Sequence, residues 1–168
     1  MIQTILFATD LGVHTPYLLH HVNELANDHN AKVVVVHAIE SAGLLSKALL
    51  DEPALGETPK HLKDQGITMI ANNVKSKLVD VLEEEFIDGQ HGLSQVRDVR
   101  VLPGKPLDII MEQADDCHAD LIIIGSHGEA TNTPNMLGSV TSKILQMSRV
   151  PVYMVPLIRS VPTQARAV

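Results

Sequence analysis

The residues with the most chemical content are Gly125-Ser126-His127-Gly128, followed after nine residues by Gly138-Ser139. A glycine directly after an apolar strand lets the chain turn with no Cβ in the way. A second glycine three residues on permits a backbone amide to approach a ligand closely. Gly138-Ser139 then begins a helix, where free amides and the positive end of the dipole favour a phosphate. The Ser139 hydroxyl can cap that helix or donate to a phosphate oxygen. The segment is neither a Walker A loop, lacking Gly-Lys-Ser/Thr, nor the Gly-x-Gly-x-x-Gly dinucleotide fingerprint. Taken alone, the glycines also fit plain turn chemistry. Asp10, at the end of the first apolar run, can orient a ribose or meet a nucleotide-bound Mg²⁺. The plainer role is a turn bond to its own backbone.

Catalysis is not expected from these residues. Ser126 and His127 could suggest a nucleophile and a base, but adjacent residues rarely point at each other, and this is not a Gly-x-Ser-x-Gly elbow. No catalytic residue is therefore assigned. Nine histidines invite a metal reading. His14, His29, His61 and His91 sit alone in loops or at helix ends. His20 and His21 are helix neighbours that point about 100° apart, unlike a His-x-x-x-His pair. Asp115-Asp116-Cys117-His118 reads as the polar end of a helix with Cys117 packed inward. No metal site of the protein's own is expected.

These residues are positioned by alternating strands and helices. Thr4 to Ala8 is short, apolar and β-prone. Thr15-Pro16 reads as an N-cap and a first helical proline, with Leu18, Val22, Leu25 and Ala26 following at helical spacing until Asn30. Lys32 to Ala38 is a strand with four consecutive valines, apolar on both faces as a helix-covered parallel strand must be. Residues 41–66 read as a loop with a short helix around Leu44–Leu50. Lys60 to Phe86 is one long amphipathic helix, with Ile70, Val74, Leu78 and Val81 at spacings of three or four, and Asp88-Gly89 and Gly92 break it. Val96 to Leu102 alternates enough to be an outer strand. A helix opens at Pro106, with Leu107, Ile110, Met111 and Ala114 on one face. Asp120 to Ile124 is a buried strand, Ser126 to Leu137 a polar loop, Gly138 to Met147 a helix, and Pro151 to Val155 a last strand. The order predicts an α/β fold: an open five-stranded parallel sheet with helices on both faces, Rossmann-like. In such sheets ligands bind outside the carboxyl ends of the strands, where the strand order reverses. That points to the segments around Asp10 and Gly125.

Composition narrows the function. The 168 residues carry 13 basic and 20 acidic side chains, a net charge of −7, which lacks the basic footprint of a nucleic-acid or anionic-membrane binder. The aromatics are Phe7, Tyr17, Phe86 and Tyr153, too few for a base-stacking platform. Cys117 is the single cysteine, so no intrachain disulfide and no cysteine cluster can form. No apolar run approaches the ~20 residues of a membrane helix, and no basic segment precedes the first one. A soluble, reduced, cytoplasmic protein is expected.

With this order of segments, the sequence resembles the single-domain A-type of the universal stress protein family. Gly125, Gly128, Gly138 and Ser139 fall on the family's pattern of Gly, two residues, Gly, nine residues, Gly and Ser or Thr. The flanks match as well: Ile5-Leu-Phe-Ala-Thr-Asp10, the Val-Val-Val-Val-His-Ala strand, Gly104-Lys-Pro106, Ala119 to Gly128, and Gly138 through Val152. The resemblance implies an adenine nucleotide alpha hydrolase-like fold over residues 1–156, with a flexible tail from 157 to 168. It implies binding of ATP or another adenine nucleotide, with or without Mg²⁺, and at most weak hydrolysis. Ala8, Thr9 and Asp10 would border the ribose and adenine, and Ala38 would present its backbone to the adenine edge. Ile124, Gly125, Ser126, His127 and Gly128 would follow the ribose and phosphate path. Gly138, Ser139, Val140 and Thr141 would hold phosphates through amides and hydroxyls. The resemblance also implies a homodimer through the last strand, Val152, Tyr153, Met154 and Val155, and a protein partner for a stress-signalling module. An edge covered by the tail from Arg159 is the alternative to the dimer. One departure stands out. The nine-residue segment carries Glu129 and no Lys or Arg, which leaves the number of phosphates open among AMP, ADP and ATP. Two other readings stay in view: a nucleotide-free dimeric interaction partner whose pocket is empty, and a slow ATPase using Asp10 and His127.

Overall fold

The four valines Val33–Val36 are each at most 2% exposed, as a strand sandwiched between helices requires. They lie in the second strand of a computed structural model that describes residues 1–40, 60–86, 95–128 and 137–157. Its elements are β1 (Thr4–Ala8), α1 (Thr15–His29), β2 (Lys32–Ile39), α2 (Lys60–Phe86), β3 (Val96–Pro103), α3 (Pro106–Asp116), β4 (Leu121–Gly125), α4 (Ser139–Met147) and β5 (Val152–Val155). The strands form one sheet in the order β3-β2-β1-β4-β5. Every pairing is parallel, with Phe7 opposite both Val35 and Ile123. The expected open sheet is therefore present, and the alternating strand β3 is an outer one.

Side chains of successive strand residues point to opposite faces. Ile5, Phe7, Val33, Val35 and Ile123 thus join Leu18, Leu19 and Val22 of α1 and Leu78 and Leu82 of α2 in one core. Leu6, Val34, Val36 and Ile122 join Ile110 and Ala114 of α3 and Ile144 of α4 in the other. Each fully buried aliphatic side chain contributes about 1.5–3 kcal/mol, and the two layers together hold the strand ends in register.

The helix ends depart from expectation at one point. His14, not Thr15, occupies the N-cap of α1, and Pro16 follows in the second helical position. The physical reason is that the Thr15 hydroxyl is turned inward, 3.2 Å from that of Thr9, and cannot cap. At the other end Asn30 adopts the left-handed conformation, and the Ala31 amide returns to the Ala26 carbonyl at 2.9 Å. β4 begins at Leu121 because Asp120 is used otherwise. Its Oδ2 accepts the amides of Gln3 (2.8 Å) and Thr4 (3.0 Å), tying the start of β1 to β4. The chain also stays packed one residue beyond the expected start of the tail, since Leu157 is buried in the core. The expected helix at Leu44–Leu50, the breaks at Asp88, Gly89 and Gly92, the segment 129–136 and the tail from Arg159 lie outside the described residues.

Candidate functional site

β1 and β4 are neighbours, and the chain leaves them toward opposite edges of the sheet: to β2 through α1, and to β5 through α4. Their carboxyl ends therefore form the strand-order reversal at which α/β sheets bind ligands.

Thr9 is the anchor on the β1 side. Its amide donates to the Val36 carbonyl at 3.0 Å, and its hydroxyl accepts the Leu11 amide at 3.0 Å. Leu11 stands at φ 61°, a conformation uncommon for a non-glycine residue, so the turn after β1 is tight and held from within. The Asp10 carboxylate closes the same turn through Oδ1, which accepts the Gly12 amide at 3.0 Å. His37 reaches back from β2 with Nδ1 2.8 Å from the Thr9 carbonyl. A carbonyl can only accept, so Nδ1 carries the proton.

The β4 side is built from close approaches at the three glycines. A Cβ on Gly125 would stand 2.9 Å from Cδ1 of Leu157. One on Gly128 would stand 2.9 Å from Oδ2 of Asp10, and one on Gly138 would stand 3.1 Å from Cα of His127. Positive φ is absent from all three, so space rather than a left-handed backbone is what selects glycine there. The Gly138 amide donates to the Ser126 carbonyl at 2.9 Å, and the buried Thr141 hydroxyl donates to the Gly125 carbonyl at 2.8 Å. These two bonds pin the start of α4 against the end of β4. An α-helix leaves the amides of its first turn without intrahelical partners, here those of Ser139, Val140 and Thr141.

Between the two sides lies a cavity of about 160 Å³. Ala8, Val36, Ala38, Ile110 and Ile124 give it apolar walls. Thr9, Asp10, His37, His127, Gly128 and Thr141 supply its polar groups, and Leu18, Pro106, Gly125 and Val140 complete the lining. Among the described residues, the titratable lining groups are the Asp10 carboxylate and the imidazoles of His37 and His127. An apolar slot bordered by hydrogen-bonding groups suits a flat heterocycle with a polar appendage.

Most residues expected at the site thus meet at one cavity: Ala8, Thr9, Asp10, Ala38, Ile124, Gly125, His127, Gly128, Val140 and Thr141. Ser126, Gly138 and Ser139 are not in its lining. Ser126 is buried, and its Oγ accepts the Leu157 amide at 2.9 Å. The expectation that Ser126 and His127 would not face each other is corrected, because Oγ also lies 2.9 Å from Nδ1 of His127. That contact does not make a nucleophile, since the buried hydroxyl is held between the imidazole and the chain end. Leu18, Val36, His37, Pro106 and Ile110 line the cavity without having been singled out. Val36 was legible by the two-residue period from Ala38, and Ile110 by the four-residue period from Pro106. His37 carried no local signal, because its partner is 28 positions away.

Among the described residues no group of three or more His, Cys, Asp or Glu could hold a metal ion. No helix among them is long and apolar enough to cross a membrane.

Comparison with known proteins agrees with this fold. Universal stress protein MJ0577 of Methanocaldococcus jannaschii is 26% identical over 159 residues, covering 92% of this chain and 95% of that protein. Its structure superposes with a TM-score of 0.74 at 25% identity, over 95% of this chain and 99% of that one. A universal stress protein solved in complex with cAMP shares the fold with a TM-score of 0.55 at 20% identity, covering 92% and 97% of the two chains. One from Arabidopsis thaliana with AMP bound does so with a TM-score of 0.55 at 12% identity, covering 98% and 97%. The universal stress protein family model matches residues 1–156. The chain belongs to the universal stress protein family.

Proposed function

We propose that this protein is a cytoplasmic, single-domain regulatory module that binds an adenine nucleotide at the strand-order reversal and reports its occupancy to a protein partner. The observation that carries the reading is the cavity itself, apolar between Ala8, Val36, Ile110 and Ile124 and polar at Thr9, Asp10 and Gly128. The base would lie between the aliphatic walls with its edge on the backbone of Ala38, and the ribose would lie against Thr9 and Asp10. A phosphate would take the amide of Gly128 and those of the first turn of α4, with Ser139 on its outer side. A nucleotide-bound Mg²⁺ would meet the site on the Asp10 side. The relatives solved with cAMP and with AMP support the ligand class. Hydrolysis is not part of the reading, since among the described residues neither lysine nor arginine lines the cavity to clamp a transferring phosphoryl group.

The test is calorimetric titration with AMP, cAMP and ATP of the wild type and of Ala38→Phe, which fills the slot. Saturable binding by the wild type, weakened at least about tenfold in the variant, is expected. Equal heats from both proteins would contradict the site.

The same reading includes a homodimer through β5. Val152, Tyr153, Met154 and Val155 pair with β4 on one side, and β5 ends the sheet order on the other. Tyr153 and Tyr17 are exposed there, with His21 between them at ring-centroid distances of 6.1 and 5.0 Å. A strand that ends the sheet order among the described residues, beside exposed aromatic rings, favours pairing with a second copy. Sedimentation of the wild type should give a dimer, and Met154→Pro, at the strand edge, should shift it to monomer. A monomeric wild type at all concentrations would refute the pairing.

A further inference from the structure

We propose that His37 and Thr9 are positioning residues whose side chains hold the backbone edge of Ala38 open to the ligand. This rests on the adenine-nucleotide reading above and accounts for how that edge comes to face a cavity rather than a neighbouring strand.

In a parallel sheet the amide and carbonyl of every second residue turn toward the same neighbouring strand. The Thr9 amide donates to the Val36 carbonyl at 3.0 Å, whereas the Ile39 carbonyl accepts the Gly104 amide at 2.9 Å. Residues 36 and 38 of β2 therefore turn their backbone groups toward β1, and residues 37 and 39 toward β3. One further step of the β1–β2 ladder would join the Ala38 amide to the Thr9 carbonyl and the Leu11 amide to the Ala38 carbonyl. Among the described residues the register instead ends at Ala8 opposite Val36.

Side chains occupy both of the places that Ala38 would have taken. Nδ1 of His37 donates to the Thr9 carbonyl at 2.8 Å, in place of the Ala38 amide. The Thr9 hydroxyl accepts the Leu11 amide at 3.0 Å and so draws it away from the Ala38 carbonyl. Leu11 makes that turn at φ 61°. The β1 half of the missing rungs is thus satisfied within the protein. The β2 half, the amide and carbonyl of Ala38, is left at a half-buried residue that lines the cavity. A donor beside an acceptor suits a heterocycle edge that presents an acceptor beside a donor, as adenine does. The imidazole plays its part whether neutral or charged, since Nδ1 bears a proton in the tautomer that the carbonyl requires and in the cation alike.

Amide hydrogen exchange followed by NMR, with AMP as the probe ligand, tests this. In the free wild type the Ala38 amide should exchange at least about a hundredfold faster than that of Val36, and AMP should slow it. His37→Leu frees the Thr9 carbonyl for the Ala38 amide. That amide should then exchange at least about tenfold more slowly without ligand, while AMP affinity falls at least about tenfold. His37→Asn places Nδ2 where Nδ1 stood and should recover most of both changes. If His37→Leu does not fold, Thr9→Val serves in its place: AMP affinity should fall at least about threefold, and Thr9→Ser should restore most of it. An Ala38 amide as protected as Val36 in the free wild type would overturn the inference. So would an unchanged Ala38 rate in folded His37→Leu, or unchanged affinity in Thr9→Val, and either result would leave the adenine-nucleotide reading standing. Absence of binding by AMP, cAMP and ATP alike would remove that reading, and exchange at Ala38 in the free proteins would still decide whether the two side chains hold its backbone edge open.

Discussion

The Asp10 carboxylate fills the space that a side chain on Gly128 would need, with Oδ2 2.9 Å from the Cβ position. The end of β1 and the turn after β4 are thereby fitted to each other across the strand-order reversal. The second glycine of the motif is thus explained by a partner inside the protein.

Gly128→Ala should therefore displace Asp10 rather than unfold the sheet. Asp10 is tethered to the Gly12 amide at 3.0 Å, so it cannot simply swing away. Nucleotide affinity is expected to fall about tenfold, with a loss of stability near 1–2 kcal/mol. Calorimetry and urea denaturation on the same preparation would separate the two effects. Unchanged affinity would show that the contact does not shape the site.

Thr141→Val removes the hydroxyl that donates to the Gly125 carbonyl at 2.8 Å and leaves that carbonyl buried without this donor. A cost of about 1–3 kcal/mol in urea-derived stability is expected, and Thr141→Ser should recover most of it. If valine were neutral, the pinning of α4 to β4 would have to come from the Gly138 amide alone.

Asp120 sets an acid limit on stability. The Gln3 and Thr4 amides that donate to it hold its carboxyl below the usual carboxylate value. A folded pKa below the unfolded one gives stability that is present above the unfolded pKa and lost as pH falls through the folded one. Asp98, lowered chiefly by its hydrogen bond from Arg100, acts in the same window and direction. Comparison of wild type and Asp120→Asn in urea should show a gap at neutral pH that closes below about pH 4. A gap independent of pH would assign the effect to shape rather than charge.

Cys117 should be inert in the folded protein. It is 6% exposed, and burial pushes its thiol up, so little thiolate is available. Reaction with a disulfide reagent at neutral pH is expected to be at least about a hundredfold slower than after denaturation. Rapid native labelling would place the thiol in a different environment.

Much of the fold was written in local pattern. The valine run at Val33–Val36 and the isoleucine run at Ile122–Ile124 declare helix-covered strands, and Pro106 and Asn30 mark helix ends. The glycine spacing pointed to the cavity between β1 and β4 because steric demand at Gly125, Gly128 and Gly138 leaves a residue-type signature. What stayed hidden depends on partners far along the chain. Ser126 reads as a ligand contact until Leu157, 31 residues on, occupies its hydroxyl. Thr15 reads as a cap until Thr9 turns it inward. His37 reads as one histidine among nine until the Thr9 carbonyl orients it. Local propensity cannot encode such contacts, because the same residue types satisfy both roles.

The central claim is that an adenine nucleotide occupies the cavity between β1 and β4. Amide resonances followed by NMR during titration with AMP to millimolar concentration test it most directly. The account predicts saturable shifts concentrated at Thr9, Ala38, Gly125, His127, Gly128 and Val140. No shift at millimolar AMP, or shifts confined to other parts of the chain, would contradict it.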